Sequence, residues 1–307
     1  MAGSGSLVAP APVAIGSGGA KPRTRIRRAA SVAAVFVIAG VIWEAVKWLG
    51  GDPWRIHAFG LSIDHTPPLH WRLANDIALP HVWDIAGAFG EPMPNGDPLG
   101  AALAQAAIYT FRTAVVGFSA GAILGLLLGV TFVHSRLLER ALVPWVVASQ
   151  TVPIIAIAPI VVVAFGASFL SVAIIATYLT FFPVVIASVR GLRAFDPRAG
   201  ELLRSYAAGA RAILWKLRLP AAVPYLFGAF RVAAAASVVG TIIGELPSGI
   251  PQGLGSAILN YNQYYVTAPQ RMWATIIACT ITGLAAVGLV RIAEAVITRG
   301  RYRTEEV

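Results

Sequence analysis

Residues 169–220 read FLSVAIIATYLTFFPVVIASVRGLRAFDPRAGELLRSYAAGARAILWKLRLP, and this stretch decides the class of fold. Its first part, 169–189, is almost wholly apolar and is about as long as a helix that crosses a bilayer. Its second part, 190–220, is polar, carries seven basic residues and has a helical pattern. The stretch therefore predicts a membrane-spanning helix followed by a polar helical excursion outside the membrane.

The composition of the whole chain agrees with a membrane protein. Of its 307 residues, 57% are hydrophobic and only 12% are charged, against roughly 25% charge in soluble domains. With a mean hydropathy of +0.72, the chain has too little polar surface for a soluble globule. This excludes a cytosolic enzyme, a disordered chain and a free nucleic-acid-binding protein. The single cysteine, Cys279, excludes a disulfide framework, a cysteine-based zinc site and a CxxC redox pair.

Six apolar stretches predict an all-α, polytopic membrane protein with six transmembrane helices. The first, 31–49, is interpreted as a retained helix, because Trp43, Glu44 and Lys47 do not form the small-residue cleavage site of a signal peptide. The other spans are predicted at about 103–133, 142–165, 169–189, 221–245 and 273–297. The predicted divisions are a disordered basic N-terminus (1–30), a first helix (31–49), an extracytoplasmic loop (50–100), a transmembrane domain (101–297) and a tail (298–307).

The placement of basic residues predicts the orientation. If the N-terminus is inside and six spans alternate, 17 Lys and Arg residues fall inside and three fall outside, with four more in the spans. Basic residues collect in cytoplasmic loops of membrane proteins. Both termini and segment 190–218 are therefore predicted to be cytoplasmic, and loop 50–100 extracytoplasmic.

The second predicted span contains a ladder of small residues. Glycines at every fourth position form one stripe on a helix, and such stripes let two helix backbones approach closely. The stripe predicts a helix-packing surface made of Gly117, Gly121, Gly125 and Gly129. Prolines inside the predicted spans, such as Pro153 and Pro159, are expected to kink their helices because proline lacks a backbone N–H.

Three charged residues within the spans, Arg112, Arg231 and Glu245, have two interpretations. Charges in hydrocarbon are costly and usually face a bundle interior or a water-filled cavity. They form either structural ion pairs or a wall of a solute path, and the sequence leaves both open.

Segment 190–220 has the signals of a pair of short helices. Asp196 is predicted to cap a helix whose first residue is Pro197. The small residues at 207–209 predict a break before a second helix, which Pro220 is predicted to end. An excursion of this length is not needed to connect two spans, so it is expected to engage another protein.

This segment resembles the EAA motif of ABC importer permeases, the inner-membrane components of binding-protein-dependent transport. Glu201 matches the glutamate of the motif, leucines replace its two alanines, Ala207 stands in place of its glycine, and Leu217 replaces its isoleucine. Leu219 and Pro220 match its end, and Gly209 is expected to supply the flexibility of the replaced glycine. Residues 149–166 and 244–258 are similar to the branch that imports nitrate, sulfonates, taurine, bicarbonate and vitamin-like aromatic solutes.

The resemblance implies partners and an energy source. The permease forms a homodimer or pairs with a related permease in the bilayer, its coupling segment 196–218 docks an ABC ATPase subunit, and an extracytoplasmic binding protein delivers the solute. The ATPase-coupling residues that the motif implies are Glu201, Ala207, Gly209, Leu217, Leu219 and Pro220. The chain has no G-x-x-x-x-G-K-[ST] loop, so no enzymatic activity, metal or cofactor is expected of it, and no nucleic acid is expected as a partner.

The substrate is predicted less directly. Aromatic side chains of the predicted outer segment would stack on a flat solute such as riboflavin or a pyrimidine, which favours such a solute over nitrate, sulfonate or taurine. These side chains are Tyr261, Tyr264, Tyr265 and Trp273. An ion-coupled secondary transporter is the alternative, but Glu245 alone meets its need for buried carboxylates. The histidines of the first loop, His57, His65, His70 and His81, are spaced like no common metal site and are expected to be solvated.

Overall fold

The computed structural model describes residues 22–58, 61–94 and 96–299, and the chain divides into two compact units, Met1–Asn75 and Asp76–Val307. The first unit contains helix α1 (Pro22–Gly50) and an antiparallel hairpin of strands β1 (Trp54–Ala58) and β2 (Leu61–His65). The His65 ring stacks on Trp48 with centroids 3.6 Å apart, and its Nε2 lies 2.9 Å from the Trp48 carbonyl oxygen. These contacts pack the hairpin against the end of α1.

One prediction for the N-terminal region changes. Helix α1 begins at Pro22, so the prediction of disorder is wrong for residues 22–30, where basic residues of good helix propensity extend the apolar helix. Residues 1–21 and 300–307, which hold the rest of the predicted N-terminus and most of the tail, lie outside the described residues. The hairpin is the small addition to an architecture that is otherwise helical, as predicted.

The second unit consists of helices. The long ones are α3 (Leu99–His134), α6 (Phe169–Arg193), α9 (Leu219–Ser248) and α11 (Pro269–Arg299), and each is long and apolar enough to cross a membrane. The shorter ones are α2 (Val82–Ala88), α4 (Arg136–Ser149), α5 (Ile154–Phe165), α7 (Pro197–Ser205), α8 (Ala210–Ile213) and α10 (Leu254–Gln263).

Helices α3 and α6 run parallel and in close contact along the glycine ladder. A methyl group added at Gly117 would lie 2.4 Å from Cβ of Ala176, and one added at Gly129 would lie 2.3 Å from Cβ of Ser188. The later glycine on α3 meets the later residue on α6, so the two helices are parallel. Only glycine permits this approach, which brings backbones together and maximises van der Waals contact where lipid removes the hydrophobic driving force.

Helix α9 is antiparallel to α6. Gly191 of α6 meets Ala222 near the start of α9, whereas Gly244 near the end of α9 meets Val172 near the start of α6. The N-terminal end of α9 therefore lies beside the C-terminal end of α6. Helices α3, α6 and α9 form the tightly packed centre of the unit, with α11 against α3 and α9.

The third predicted span, 142–165, is not one continuous helix. It is formed by α4 and α5, which meet at an angle of 97° across residues 150–153. Pro153 lies at this break because it cannot donate a backbone hydrogen bond to the preceding turn. Since α3 and α6 are parallel, the bent pair together must return the chain from the end of α3 to the start of α6. The pair thus counts as one crossing, and with α1 the number of spans is six.

The helices define two ends of the second unit. The C-terminal ends of α3, α6 and α11 and the N-terminal end of α9 lie together at what we term the basic end. At the opposite end, α2 and α10 pack on α3 and α11 through the buried side chains of Ala88, Leu99 and Leu254. The predicted domain start at residue 101 is therefore too late, because residues 76–98 belong to the same compact unit as the spans.

Candidate functional site

The helix α7 projects from the basic end and is fixed at its start. The side chain of Asp196 accepts a hydrogen bond of 2.9 Å from the backbone N–H of Arg198, and Pro197 occupies the first turn, both as predicted from the sequence. The Phe195 ring packs so closely on Gly200 that an added methyl group would lie 2.9 Å from it. A short helix is thereby held in one orientation.

The outer surface of α7 has no partner within the described residues. Glu201 is exposed, and the side chains of Leu202 and Tyr206 are 57% and 77% exposed. Leu202 and Tyr206 are four residues apart and so lie on one side of this turn. An apolar pair beside a carboxylate on a fixed helix is a suitable surface for a protein partner. The motif contains Glu201 and, in place of an alanine, Leu202, but no sequence signal singled out Tyr206.

The turn after α7 is made by Ala207 and not by Gly209. Ala207 has a φ of 54°, in the left-handed region where glycine is favoured, while Gly209 has a φ of −68° and a ψ of 163°. Gly209 therefore does not take the place of the motif's glycine in the turn itself, and its contribution of flexibility stays a prediction. Glycine takes this conformation without the clash of a Cβ atom, which explains physically why the motif has a glycine at this position.

The second predicted helix of the segment does not end at Pro220. Helix α8, a π-helical turn (Leu214–Arg218) and α9 form one continuous helix from Ala210 to Ser248. The π-helical turn lies directly before Pro220 and accommodates a residue that cannot donate to the preceding turn. The coupling segment thus consists of α7 and the first turns of a 39-residue helix that continues into the membrane.

The remaining motif residues face inward or lie within this helix. Leu217 lies 3.9 Å from the position of a methyl group at Gly200, and Leu219 packs against the buried cluster of Leu192, Ala222 and Leu226. These leucines therefore join α7 and the start of α9 to the bundle, whereas Glu201 faces outward. Movement of α7 would be passed directly to α9.

Glu245 is a buried structural anchor. It is 0% exposed, and its carboxylate accepts hydrogen bonds from Oγ1 of Thr110 at 2.8 Å and from the backbone N–H of Gly255 at 2.8 Å. Thr110 in turn accepts from the N–H of Leu254 at 2.9 Å. A methyl group at Gly253 would lie 2.6 Å from the carboxyl carbon of Glu245. The carboxylate thus joins the start of α10 to α3 and α9.

The three charged span residues are not brought together. Arg231 lies 3.4 Å from Glu294 of α11 and also donates to the carbonyl of Phe227, so it has the ion pair that one of the two interpretations expects. Arg112 is exposed and lines a cavity of about 430 Å³ with Pro251 and Gln252. Of the three, Arg112 alone faces open space.

The bend between α4 and α5 exposes irregular backbone within the bundle. The Tyr178 hydroxyl of α6 donates to the carbonyl of Ser149, which places the break near the middle of α6. Thr151 and Pro153 are exposed there, and Nε2 of Gln150 is buried without a hydrogen-bond partner in the described structure. Non-helical backbone at membrane depth must be covered by protein or line a water-filled path. The break therefore cannot face lipid.

The aromatic residues of the outer segment are not equivalent. Tyr261 is only 5% exposed and belongs to the core, with its hydroxyl 3.8 Å from Sδ of Met93. Tyr264 is 55% exposed, and Tyr265 and Trp273 are half-buried. Tyr261 is thus unavailable for stacking on a solute in this conformation.

The histidines of the first loop form no metal site in the parts of the chain that the structure describes. His65 stacks on Trp48, and His81 stacks on Trp83 and lies 3.8 Å from Asp76. Both rings are therefore held by stacking, and His81, which also lies near a carboxylate, is buried, so the prediction of solvated histidines is wrong for His81.

The described residues thus form a polytopic helical membrane protein with a capped helix presented at its basic end. Residues 121–299, more than half of the chain, match the family of binding-protein-dependent transport system inner membrane components. The chain belongs to this family and is a multi-pass permease subunit of an ABC importer, and such subunits are not themselves enzymes.

Three relatives illustrate the range of the family. The chain is 31% identical over 185 residues to a formylaminopyrimidine transport permease of Halalkalibacterium halodurans, covering 57% of this chain and 74% of the relative. It is 32% identical over 180 residues to a riboflavin transport system permease of Chloroflexus aurantiacus, covering 59% and 65%. It is 29% identical over 227 residues to a putative aliphatic sulfonates transport permease of Bacillus subtilis, covering 74% and 79%.

Proposed function

We propose that this permease moves a small solute across the inner membrane, driven by a separate ATPase that docks on α7. The observation that carries this proposal is the exposed surface of Glu201, Leu202 and Tyr206 on a helix held by Asp196 and Phe195. Because α7 connects through Leu217 to the start of α9, a force on α7 reaches a span directly. An ion-coupled transporter would have no use for this surface, and Glu245 is occupied as an anchor.

The basic end is proposed to be cytoplasmic. Segment 190–218 at this end contains seven of the basic residues, and Arg136 and Arg140 lie there as well, whereas Arg271 lies at the opposite end. The ATPase, whose nucleotide is cytoplasmic, would meet α7 on this side. Both termini are then cytoplasmic, and the binding protein delivers solute to the end that holds α2 and α10.

The break at residues 150–153 supports a second permease copy and a path between the two. An exposed break at mid-depth must face water or protein, and a path between two permeases provides both. We place Gln150 and Thr151 beside the path of the solute, and we favour a homodimer. A dimer with a related permease would cover the same surface.

The substrate is proposed to be an aromatic heterocycle of the pyrimidine or flavin type. Two of the relatives described above are named for formylaminopyrimidine and riboflavin transport. Exposed Tyr264 at the opposite end offers a stacking face. Arg112 favours a second candidate, an aliphatic sulfonate or other oxyanion, because its exposed guanidinium would attract an anion.

Docking is tested with the reconstituted permease, ATPase and binding protein. Tyr206→Ala should lower recovery of the ATPase in a pull-down and solute-stimulated ATP hydrolysis, each by at least about tenfold, as for a central aromatic contact. Val296→Ala, which truncates a residue that is 67% exposed near the end of α11 at the same basic end but outside α7, is the matched control. Equal losses in both variants, or none in either, would contradict docking on α7.

A second pair of variants tests transmission through the helix start. The N–H of Ile213 donates to the carbonyl of Gly209 at 3.1 Å, so Ile213→Pro removes this bond and should uncouple hydrolysis from transport. Gly209→Pro should be tolerated, because Gly209 precedes the helix with a φ that proline adopts. The reverse order of effects would show that the first turns of this helix do not transmit force.

A further inference from the structure

A cavity of about 780 Å³ opens at the basic end, and its polar lining is dominated by arginines. Four arginines and one carboxylate surround it, contributed by α4, the end of α6 and the π-helical turn before α9. These residues are Arg136, Glu139, Arg140, Arg193 and Arg218. Four guanidinium groups against one carboxylate leave an excess of positive charge in one concave site.

Only one of these arginines is neutralised in the described part of the chain. Arg193 binds Glu139 through two hydrogen bonds of 2.9 and 2.6 Å, so this ion pair joins α6 to α4. Arg218 lies over the Phe195 ring, with Cζ 5.4 Å from the ring centroid. Arg136, Arg140 and Arg218 form no ion pair among the described residues, although Arg136 and Arg140 also act through space on the Glu139 carboxylate, so three of the guanidinium groups that line the cavity lack an ion pair of their own.

The helix that carries two of these arginines also has an unpacked apolar side. No residue of α4 is buried in the described structure. Leu137 and Trp145 are 78% and 74% exposed. At about 100° per residue, Leu137 lies beside Arg140, about 60° away, whereas Trp145 lies on the opposite side of the helix from Arg136. A helix with basic groups on one side and exposed leucine and tryptophan on the other, at the end of the spans, is typical of the membrane interface.

We propose that this cavity binds the phosphate headgroup of an anionic phospholipid, with its acyl chains along the Leu137 side of α4. Guanidinium groups bind phosphate oxygens through paired, charge-assisted hydrogen bonds. The arginines of the cavity that lack an ion pair can bind a phosphate group in this way. Basic pockets between spans on the cytoplasmic side are recognised sites for such headgroups. The apolar side selects a lipid over a free anion. Bound lipid would hold α4 against α6 and the start of α9, next to α7.

The test uses the purified full-length permease in nanodiscs and native mass spectrometry. Dioleoylphosphatidylglycerol should remain bound in preference to dioleoylphosphatidylcholine. Arg136→Gln with Arg140→Gln should weaken phosphatidylglycerol binding at least about tenfold, whereas Arg136→Lys with Arg140→Lys should retain most of it because charge persists. Arg198→Gln with Arg204→Gln, which removes the same charge at the same end outside the cavity, should change binding less than twofold.

Three outcomes would overturn the proposal. Equal retention of the two lipids would remove headgroup recognition. Displacement of phosphatidylglycerol by millimolar inorganic phosphate would show that the site is built for a free anion. Unchanged lipid binding together with loss of the ATPase in the Arg136→Gln, Arg140→Gln variant would assign the cavity to an acidic segment of the ATPase.

Discussion

At the scale of single residues, backbone geometry and the contacts of buried polar groups determine the role of a residue. Ala207 occupies a left-handed conformation that alanine tolerates poorly, and it does so at the turn beside the proposed docking surface. Glu245 is an acidic residue in a span that an inspection of charge would assign to a transport path, yet all its observed contacts are structural. In both cases the role follows from the neighbours of the residue and not from its chemical type.

Ala207→Gly should stabilise the turn after α7. Ala207 is exposed, so the variant loses no packing, and relief of the left-handed conformation should contribute about 1 kcal/mol. Hydrogen exchange of the amides at 203–208 should slow by about fivefold. Ala207→Val increases the strain and should accelerate this exchange. An exchange rate that neither substitution changes would contradict the role of this turn.

Glu245→Leu should release the start of α10. The change leaves the N–H of Gly255 and the hydroxyl of Thr110 without their acceptor, at a cost of about 1–3 kcal/mol for each group. Amide exchange over 250–263 should rise by at least about tenfold, as measured by mass spectrometry. Glu245→Gln keeps the shape and one acceptor oxygen and should retain much of the protection. An unchanged outer segment in the leucine variant would make Glu245 a path residue instead.

At the scale of elements, two helices differ from simple spans in opposite ways. The third span breaks at Pro153, whereas the fifth continues through Pro220 from Ala210 to Ser248. The sequence predicted that Pro153 would kink its helix and that Pro220 would end one. Before Pro220 the helix widens into a π-helical turn, while around Pro153 the bend is supported by the bond from Tyr178 to the Ser149 carbonyl.

The glycine ladder between α3 and α6 predicts that the stability of the permease falls steeply as side chains at the ladder become larger. Gly121→Ala places a methyl group 2.6 Å from Cβ of Thr180 and should destabilise the permease by about 1–3 kcal/mol, seen as a lower melting temperature in detergent. Gly288→Ala in α11 is the matched control, because no atom lies within 4 Å of its added methyl group. Equal melting temperatures for the two variants would contradict the close packing of α3 on α6.

At the scale of the whole molecule, the parallel α3 and α6 require the bent pair to cross the membrane. As a result, segment 190–219 lies at one end of the second unit, and α2 and α10 lie at the other. Once the direction of one span in the second unit is known, the directions of the other spans in that unit follow. The excess of basic residues at one end then predicts which end is cytoplasmic.

Cysteine labelling should establish the orientation. In a Cys279→Ala background, cysteines at Asn75 and at Val266, which is 71% exposed, should react with an impermeant maleimide in intact cells. A cysteine at Ser205, or at positions 25 and 302, should react only after the membrane is opened. Labelling of Ser205→Cys in intact cells would invert the topology, and protection of Asn75→Cys would contradict the six spans.

The amino-acid sequence by itself determined the class of protein, the number of crossings, the excess of charge at one side, and the motif in 196–220. These features depend on composition and on local periodicity. Both are visible in the sequence because every span in a bilayer must be apolar and helical. Only the tertiary structure decided that α3 and α6 are parallel, that Ala207 makes the turn, that Glu245 anchors α10, and that four arginines share a cavity. Apart from the turn at Ala207, whose hydrogen bonds are local, each of these depends on contacts between residues far apart in the chain, and no local pattern encodes such contacts.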